Sequence, residues 1–127
     1  MQVFALLDTL EYMQRGGRIG RVQAIIGGLL RVRPIITIKD GVAHSEAKAR
    51  SRALGIRYML TVADRRAPLK QAAVIYSTSS EEADELEEKI RPFIADGNVI
   101  RAQFGPVLGT YLGPGAVGIA IQSEKTE

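Results

Sequence analysis

The chain has no cysteine and one histidine, His44, among its 127 residues. The first absence excludes disulfides and thiolate metal sites. The second confines any imidazole chemistry to one residue whose neighbours, Ser45 and Glu46, specify no catalytic partner, so an edge-strand or surface histidine is expected. No apolar run reaches the roughly 18 residues that a membrane-spanning helix needs. The opening MQVFALLD lacks both the basic flank and the small-residue cleavage site of a signal peptide, so no membrane span is expected and the cytoplasm is the expected compartment. Aromatic residues make up only 6% of the chain and are barely interleaved with the arginines, and no nucleic-acid motif is present. No nucleic-acid partner is expected.

What is present suits one globular domain over residues 1–127, since 46% of the residues are hydrophobic and 24% charged. A chain of this length buries roughly two thirds of its unfolded surface. The net charge of +3 hides an uneven distribution: residues 1–66 hold 12 Lys and Arg against 5 Asp and Glu, and residues 67–127 hold 5 against 9. The first half is therefore basic. Arg15, Arg18, Arg21, Arg31, Arg33, Arg50, Arg52 and Arg57 are available to attract phosphate, carboxylate or an acidic protein, or else form a solvated face with no partner.

The periodicity predicts a strand buried on both faces at Val3–Leu7, where VFALL is continuously apolar. A chain that opens in a core strand is expected to belong to something larger. Asp8 or Thr9 can cap a short helix from Leu10 to Arg15, stopped by Gly16 and Gly17, and a second helix is expected from about Ile19 to Leu30. The β-branched run Arg33–Lys39 and the Asp40-Gly41 turn predict a hairpin that returns as Val42–Ala47. Ser51–Arg66 reads as an amphipathic helix with Leu54, Tyr58, Thr61 and Val62 on one side, closed by Pro68. Gln71–Ser77 reads as a strand, and Ser79 or Ser80 caps an acidic helix over 81–94. The turn Asp96-Gly97-Asn98 leads to a strand at Val99–Phe104, and Ala116–Gln122 forms the last one. The implied fold class is α+β: a two-layer or mixed α/β sandwich, with a mostly antiparallel sheet, packed helices and two βαβ-like units in the second half.

Catalytic constellations are hard to assemble from these elements. Glu81, Glu82, Asp84, Glu85, Glu87 and Glu88 crowd two turns of one helix and are expected to face water rather than hold a metal. Ser77, Thr78, Ser79 and Ser80 have no general base near them in sequence, and capping accounts for the cluster. Gly16-Gly17-Arg18-Ile19-Gly20 places an arginine at the start of a helix, where free amides favour an anion, although helix-cap glycines beside an incidental arginine give the same pattern. It is neither a Walker nor a dinucleotide fingerprint.

The stretch 105–121, GPVLGTYLGPGAVGIAI, has five glycines and two prolines and reads as a shaped irregular loop feeding an alternating apolar strand. Such a loop either turns a tight corner or brings backbone close to a ligand.

DTLEYMQRGGRIG at 8–20, LLRVRPIITIKDG at 29–41 and the glycine stretch at 105–121, in that order, closely resemble the carboxy-terminal domain of the DegV family. The resemblance implies a two-domain bacterial fatty-acid-binding protein, whose better-understood members, called FakB, present a bound fatty acid to fatty acid kinase for phosphorylation of its carboxylate. It implies that this domain walls part of an acyl pocket, with apolar side chains from Val22 to Leu30 and the sheet along the chain of the lipid. The family's arginine near the carboxyl end falls on Arg18. A family histidine in the final glycine loop falls on Tyr111, and the family threonine after it falls on Leu112. Tyrosine keeps a hydroxyl donor but carries no positive charge near neutral pH, so either the carboxyl-end geometry differs from the family pattern or this member is specialised. Gly17, Arg18, Thr110, Tyr111 and Gly113 are the candidate ligand-binding residues, through one charge, one hydroxyl and backbone amides.

The resemblance covers nearly all of this chain and about half of a family member; the amino-terminal DegV domain is missing from it. The expected partners are a long-chain fatty acid, fatty acid kinase and that missing domain. The expected role is a carrier, not an enzyme, with no catalytic residue, metal or cofactor. The alternative is a protein-interaction or self-assembly domain, a homo-oligomer included, with no lipid binding of its own.

Overall fold

The computed structural model describes residues 1–9, 32–39, 42–78, 80–106, 109 and 112–124. Among them run β1 (Gln2–Leu6), β2 (Arg33–Lys39), β3 (Val42–Ala49), α1 (Arg52–Arg66), β4 (Leu69–Tyr76), α2 (Ser80–Ile90), β5 (Ile100–Gln103) and β6 (Val117–Ser123). The strands form one sheet in the order β3-β2-β1-β6-β4-β5. Every pairing in it is antiparallel except β4 with β5. The α+β class with a mostly antiparallel sheet is therefore the observed one. The helices expected at Leu10–Arg15 and Ile19–Leu30 lie outside the described residues, as does the Asp40-Gly41 turn, although the Lys39 to Val42 pair that flanks it is formed.

The apolar run at the start becomes β1 because it sits between β2 and β6, with Phe4, Ala5 and Leu6 buried. Strand β3 runs two residues beyond the expected end. Ala47 pairs with Ile35 and Ser45 with Ile36, so Glu46 is the extra residue of a β-bulge. The two expected βαβ-like units differ. In β4-α2-β5 the strands are parallel neighbours, whereas α1 carries the chain from the edge strand β3 past β2, β1 and β6 to β4.

Helix α1 starts as expected, with the Ser51 hydroxyl accepting from the Leu54 amide at 3.2 Å. Its buried face is Gly55, Ile56, Met59, Val62 and Ala63. Leu54 and Thr61, expected on that face, are exposed. The helix turns this way because Gly55 has no side chain: a Cβ there would stand 2.5 Å from Leu6 Cδ1, so the glycine lets the helix approach the sheet. Apolar periodicity cannot register that. Helix α2 ends at Ile90 and gives way to a 3₁₀ turn at Arg91–Phe93, where Pro92 removes an amide that a longer helix would use.

Residues directly opposite one another on paired strands share a face. Two rows therefore cross the sheet on the side of the helices: His44, Thr37, Phe4, Ile119, Val74 and Arg101 in one, and Ala47, Ile35, Leu6, Val117, Tyr76 and Gln103 in the next. With Met59, Leu86 and Ile90 of the helices, their buried members make the main core. The other face has its own rows: Ser45, Ile36, Ala5, Gly118, Ile75 and Ala102, then Ala43, Ile38, Val3, Ala120, Ala73 and Ile100. No charged residue and nothing larger than isoleucine stands in these two rows. A smaller cluster of Ala5, Leu7, Ile36, Leu112 and Ala116 packs on this second face.

Candidate functional site at the glycine-rich segment

The described residues from Gly105 to Ala116 differ from the irregular loop expected there. Pro106, Gly109 and Leu112 are helical, and the amides of Gly109 and Gly113 donate to the carbonyls of Gly105 and Gly109 at 2.8 and 2.9 Å. Proline suits a first helical position because its missing amide would have no partner there. Gly113, with φ of +83°, takes the left-handed conformation that ends a helix, and its amide makes the closing bond. Proline at the start and glycine past the end were signals in the sequence, hidden by the density of glycine. Leu112, at the family's threonine position, is 2% exposed and packs into the second-face cluster, with Phe104 against it. An apolar side chain there extends the greasy surface of the sheet.

Two groups hold the carboxy end of this segment. On one side, the Ser77 hydroxyl accepts from the Ala116 amide at 2.9 Å, the Ser77 amide donates to the Ala116 carbonyl at 2.9 Å, and Thr78 Oγ1 accepts from the Gly115 amide at 2.9 Å. These hydroxyls pin the carboxy end of the segment. The reason is register: Tyr76 pairs with Val117, which brings the ends of β4 and β6 together. Nothing local to 77–80 could have shown it.

On the other side stands Arg52, the first residue of α1. Its guanidinium donates to both carboxylate oxygens of Glu82, from Nε at 2.8 Å and Nη2 at 2.7 Å, and from Nη1 to Asp8 at 2.6 Å. Nη2 also donates to the Gly115 carbonyl. Burial opposes the charge on Arg52, but hydrogen bonding and attraction from Glu82, then Asp8, outweigh it and hold the pKa above the ordinary arginine value. Arg33 reaches the same Asp8 oxygen at 3.7 Å. Arg52, grouped by sequence with a free basic surface, is thus committed inside the molecule, while Arg33 stays 40% exposed beside Asp8. Gly115 has φ of +81°, and a Cβ there would lie 2.7 Å from Asp8 Oδ2, so only glycine fits under the carboxylate.

Of the candidate ligand-binding residues, Gly113 is placed as above; Gly17, Arg18, Thr110 and Tyr111 lie outside the described residues. His44 sits on edge strand β3 opposite Thr37. Several acidic residues of α2 bind cations of the chain itself: Glu82 holds Arg52, Asp84 holds Arg101 at 2.7 Å and Glu85 holds Lys89 at 2.7 Å. Among the described residues, no group of three or more His, Asp or Glu is arranged to hold a metal ion. No helix among them is long and apolar enough to cross a membrane.

The family model described as "Uncharacterised protein, DegV family" matches residues 1–124. The chain belongs to the DegV family. A DegV domain-containing protein of Clostridium acetobutylicum is 36% identical over 127 residues, an alignment covering 93% of this chain and 42% of that protein. The structure is similar to that of a fatty-acid-binding DegV family protein from Thermus thermophilus, with a TM-score of 0.83 and 28% identity over 95% of this chain and 45% of that one. It is also similar to DegV, a fatty acid binding protein from Bacillus subtilis, with a TM-score of 0.76 and 33% identity over 97% of this chain and 45% of that one. The chain thus spans less than half of the length of these DegV proteins.

Proposed function

We propose that this chain is the carboxy-terminal half of a bacterial, cytoplasmic fatty-acid carrier, a binding protein rather than an enzyme, which presents its ligand to fatty acid kinase once an amino-terminal DegV half completes the pocket. The observation that carries this reading is the second face of the sheet. Its two rows offer a floor of small and aliphatic side chains, uncharged from β3 to β5, and Leu112 of the glycine-rich segment and Phe104, just before that segment, pack on it. Such a floor can follow a long alkyl chain, and each buried CH₂ is worth about 0.8 kcal/mol, so a long tail needs few polar contacts for strong affinity. Asp8, Glu82 and Asp84 are taken up in ion pairs with Arg52 and Arg101 of the scaffold, a pattern that suits a carrier better than a catalyst. The fatty-acid binding of the Thermus and Bacillus relatives supports the same ligand class. Arg18 and Tyr111 are proposed to meet the carboxylate, with Gly17, Thr110 and Gly113 around it.

Ile100 is 61% exposed and Ala102 is exposed at the outer end of the floor, where a second half would cover them. The test is the affinity for a long-chain fatty acid of this chain alone and of the chain joined to the amino-terminal half of a DegV protein. The joined protein is expected to bind one fatty acid tightly and the single half weakly or not at all. No binding by the joined protein ends this reading.

The exposed Ile100 on edge strand β5 also favours a second reading, association of the half-length chain with itself. Sedimentation that shows only monomer at high concentration removes it.

A further inference from the structure

Arg52 holds the carboxy end of the glycine-rich segment. Its side chain joins three elements that are far apart in sequence. It bonds the carbonyl of Gly115, where the glycine-rich segment ends, and the carboxylate of Asp8, from which the chain leaves β1 toward Gly-Gly-Arg. The bidentate bond to Glu82 fixes the plane of the guanidinium against the first turn of α2. Four of the five N–H groups of an arginine are satisfied in this way, and the side chain is only 22% exposed. The fork geometry matters as much as the charge. A lysine has one nitrogen and cannot reach Glu82 twice while also serving Asp8 and Gly115.

Thr78 and Ser77 tie the opposite side of the same two residues through the Gly115 and Ala116 amides. Gly115 is therefore held through its amide by Thr78, two residues past β4, and through its carbonyl by α1. We propose that Arg52 is a positioning residue of the ligand site: it aligns the carboxy end of the glycine-rich segment with the end of β1, and this alignment sets the affinity for the carboxylate of a bound fatty acid. The proposal rests on the fatty-acid reading for its consequence and on the hydrogen bonds alone for its mechanism.

The experiment compares Arg52→Met, Arg52→Lys and Arg101→Met in the chain joined to an amino-terminal DegV half, with a fluorescent fatty acid as the probe. Arg101 pairs with Asp84 and donates to the Ser80 carbonyl, both on α2, so its loss serves as the measure of weakened stability alone. Losing a hydrogen bond to a charged group corresponds to roughly a tenfold change in an equilibrium constant. Arg52→Met is expected to weaken binding by about that factor beyond Arg101→Met, and Arg52→Lys to recover only part of it. In the 127-residue chain itself, amide hydrogen exchange at Gly115 and Ala116 is expected to speed up in Arg52→Met and not in Arg101→Met.

If Arg52→Met does not fold, Glu82→Gln replaces it, since it keeps the shape and weakens the fork. Binding by the Arg52 variants no weaker than by Arg101→Met, or unchanged exchange at Gly115 and Ala116, overturns the proposal. A wild-type joined protein that binds no fatty acid removes the parent reading instead, and the exchange result then decides the positioning role by itself.

Discussion

Tyr58 shows how a single bulged residue changes a side chain's chemistry. The extra residue in β3, Glu46, turns its carboxylate toward α1, where it accepts from the Tyr58 hydroxyl at 2.6 Å. That hydrogen bond, then burial and the negative charge, raise the tyrosine pKa above its ordinary 10.0, because each favours the protonated phenol; Arg65 and Arg66 oppose the shift. The sign follows from linkage. The folded state holds the proton more tightly than the unfolded chain, so the contribution is fully present below the unfolded pKa and is lost as the pH rises through the folded one. Unfolding measured by urea between neutral pH and pH values above 10.0 is expected to show an alkaline loss of stability that Tyr58→Phe reduces. An identical alkaline slope in Tyr58→Phe would show that the bond contributes nothing. At the same scale, Gly115 and Gly118 are constrained by different neighbours. Gly115 yields to a carboxylate, and Gly118 yields to backbone: a Cβ there would stand 2.3 Å from the Phe4 carbonyl oxygen.

At the scale of elements, the segments whose ends were readable are those whose capping is local. Ser51 satisfies an amide three residues on, and the helix began where the serine stood. Replacing an N-cap serine by alanine costs about 1 kcal/mol, and Ser51→Ala is expected to lower the urea midpoint accordingly with no change in the slope of the transition. A midpoint equal to that of the unchanged chain would mean that the cap is redundant. The face of α1 was legible at Tyr58 and Val62 but not at Leu54 and Thr61, for an equally physical reason. Leu54 looked like a core residue by hydrophobicity, but Gly55 allows the closest approach to Leu6 and so turns the neighbouring face, Ile56, Met59 and Ala63, onto the sheet. In the glycine-rich segment, local signals were present and outweighed: Pro106 and Gly113 mark helical ends, yet so many glycines in a short span suggested irregular backbone.

Across the whole molecule, one sheet presents two unlike surfaces. The helix side is filled by large side chains and finished by ion pairs, whereas the two described rows of the other side hold only small and aliphatic side chains. Ala73, half-buried in the middle of that second face, is the place to test the floor. Ala73→Phe in the joined protein is expected to reduce long-chain fatty acid affinity by at least about tenfold, since filling the space of two or more methylene groups forfeits roughly 1.5 kcal/mol. Equal affinity in this variant, with the fold intact, would mean that the acyl chain does not lie along the floor. The smoothness was not readable strand by strand. Ala5, Gly118, Ile75 and Ala102 lie in four different strands and become one row only through the register.

By itself the sequence determined the strands, the capped helix α1, the hairpin of β2 with β3 and the family, because alternation, caps and motifs operate within a few residues of one another. The tertiary structure alone decided which strands are neighbours, and with that the two faces of the sheet, the hydroxyls that hold Gly115 and Ala116, and the commitment of Arg52. Arg52 and Gly115 are 63 positions apart, and no periodicity or propensity acts over that distance. Their contact arises only when β1 closes against β6 and α1 is laid across the sheet, so the charge that composition counted as surface is in fact part of the scaffold.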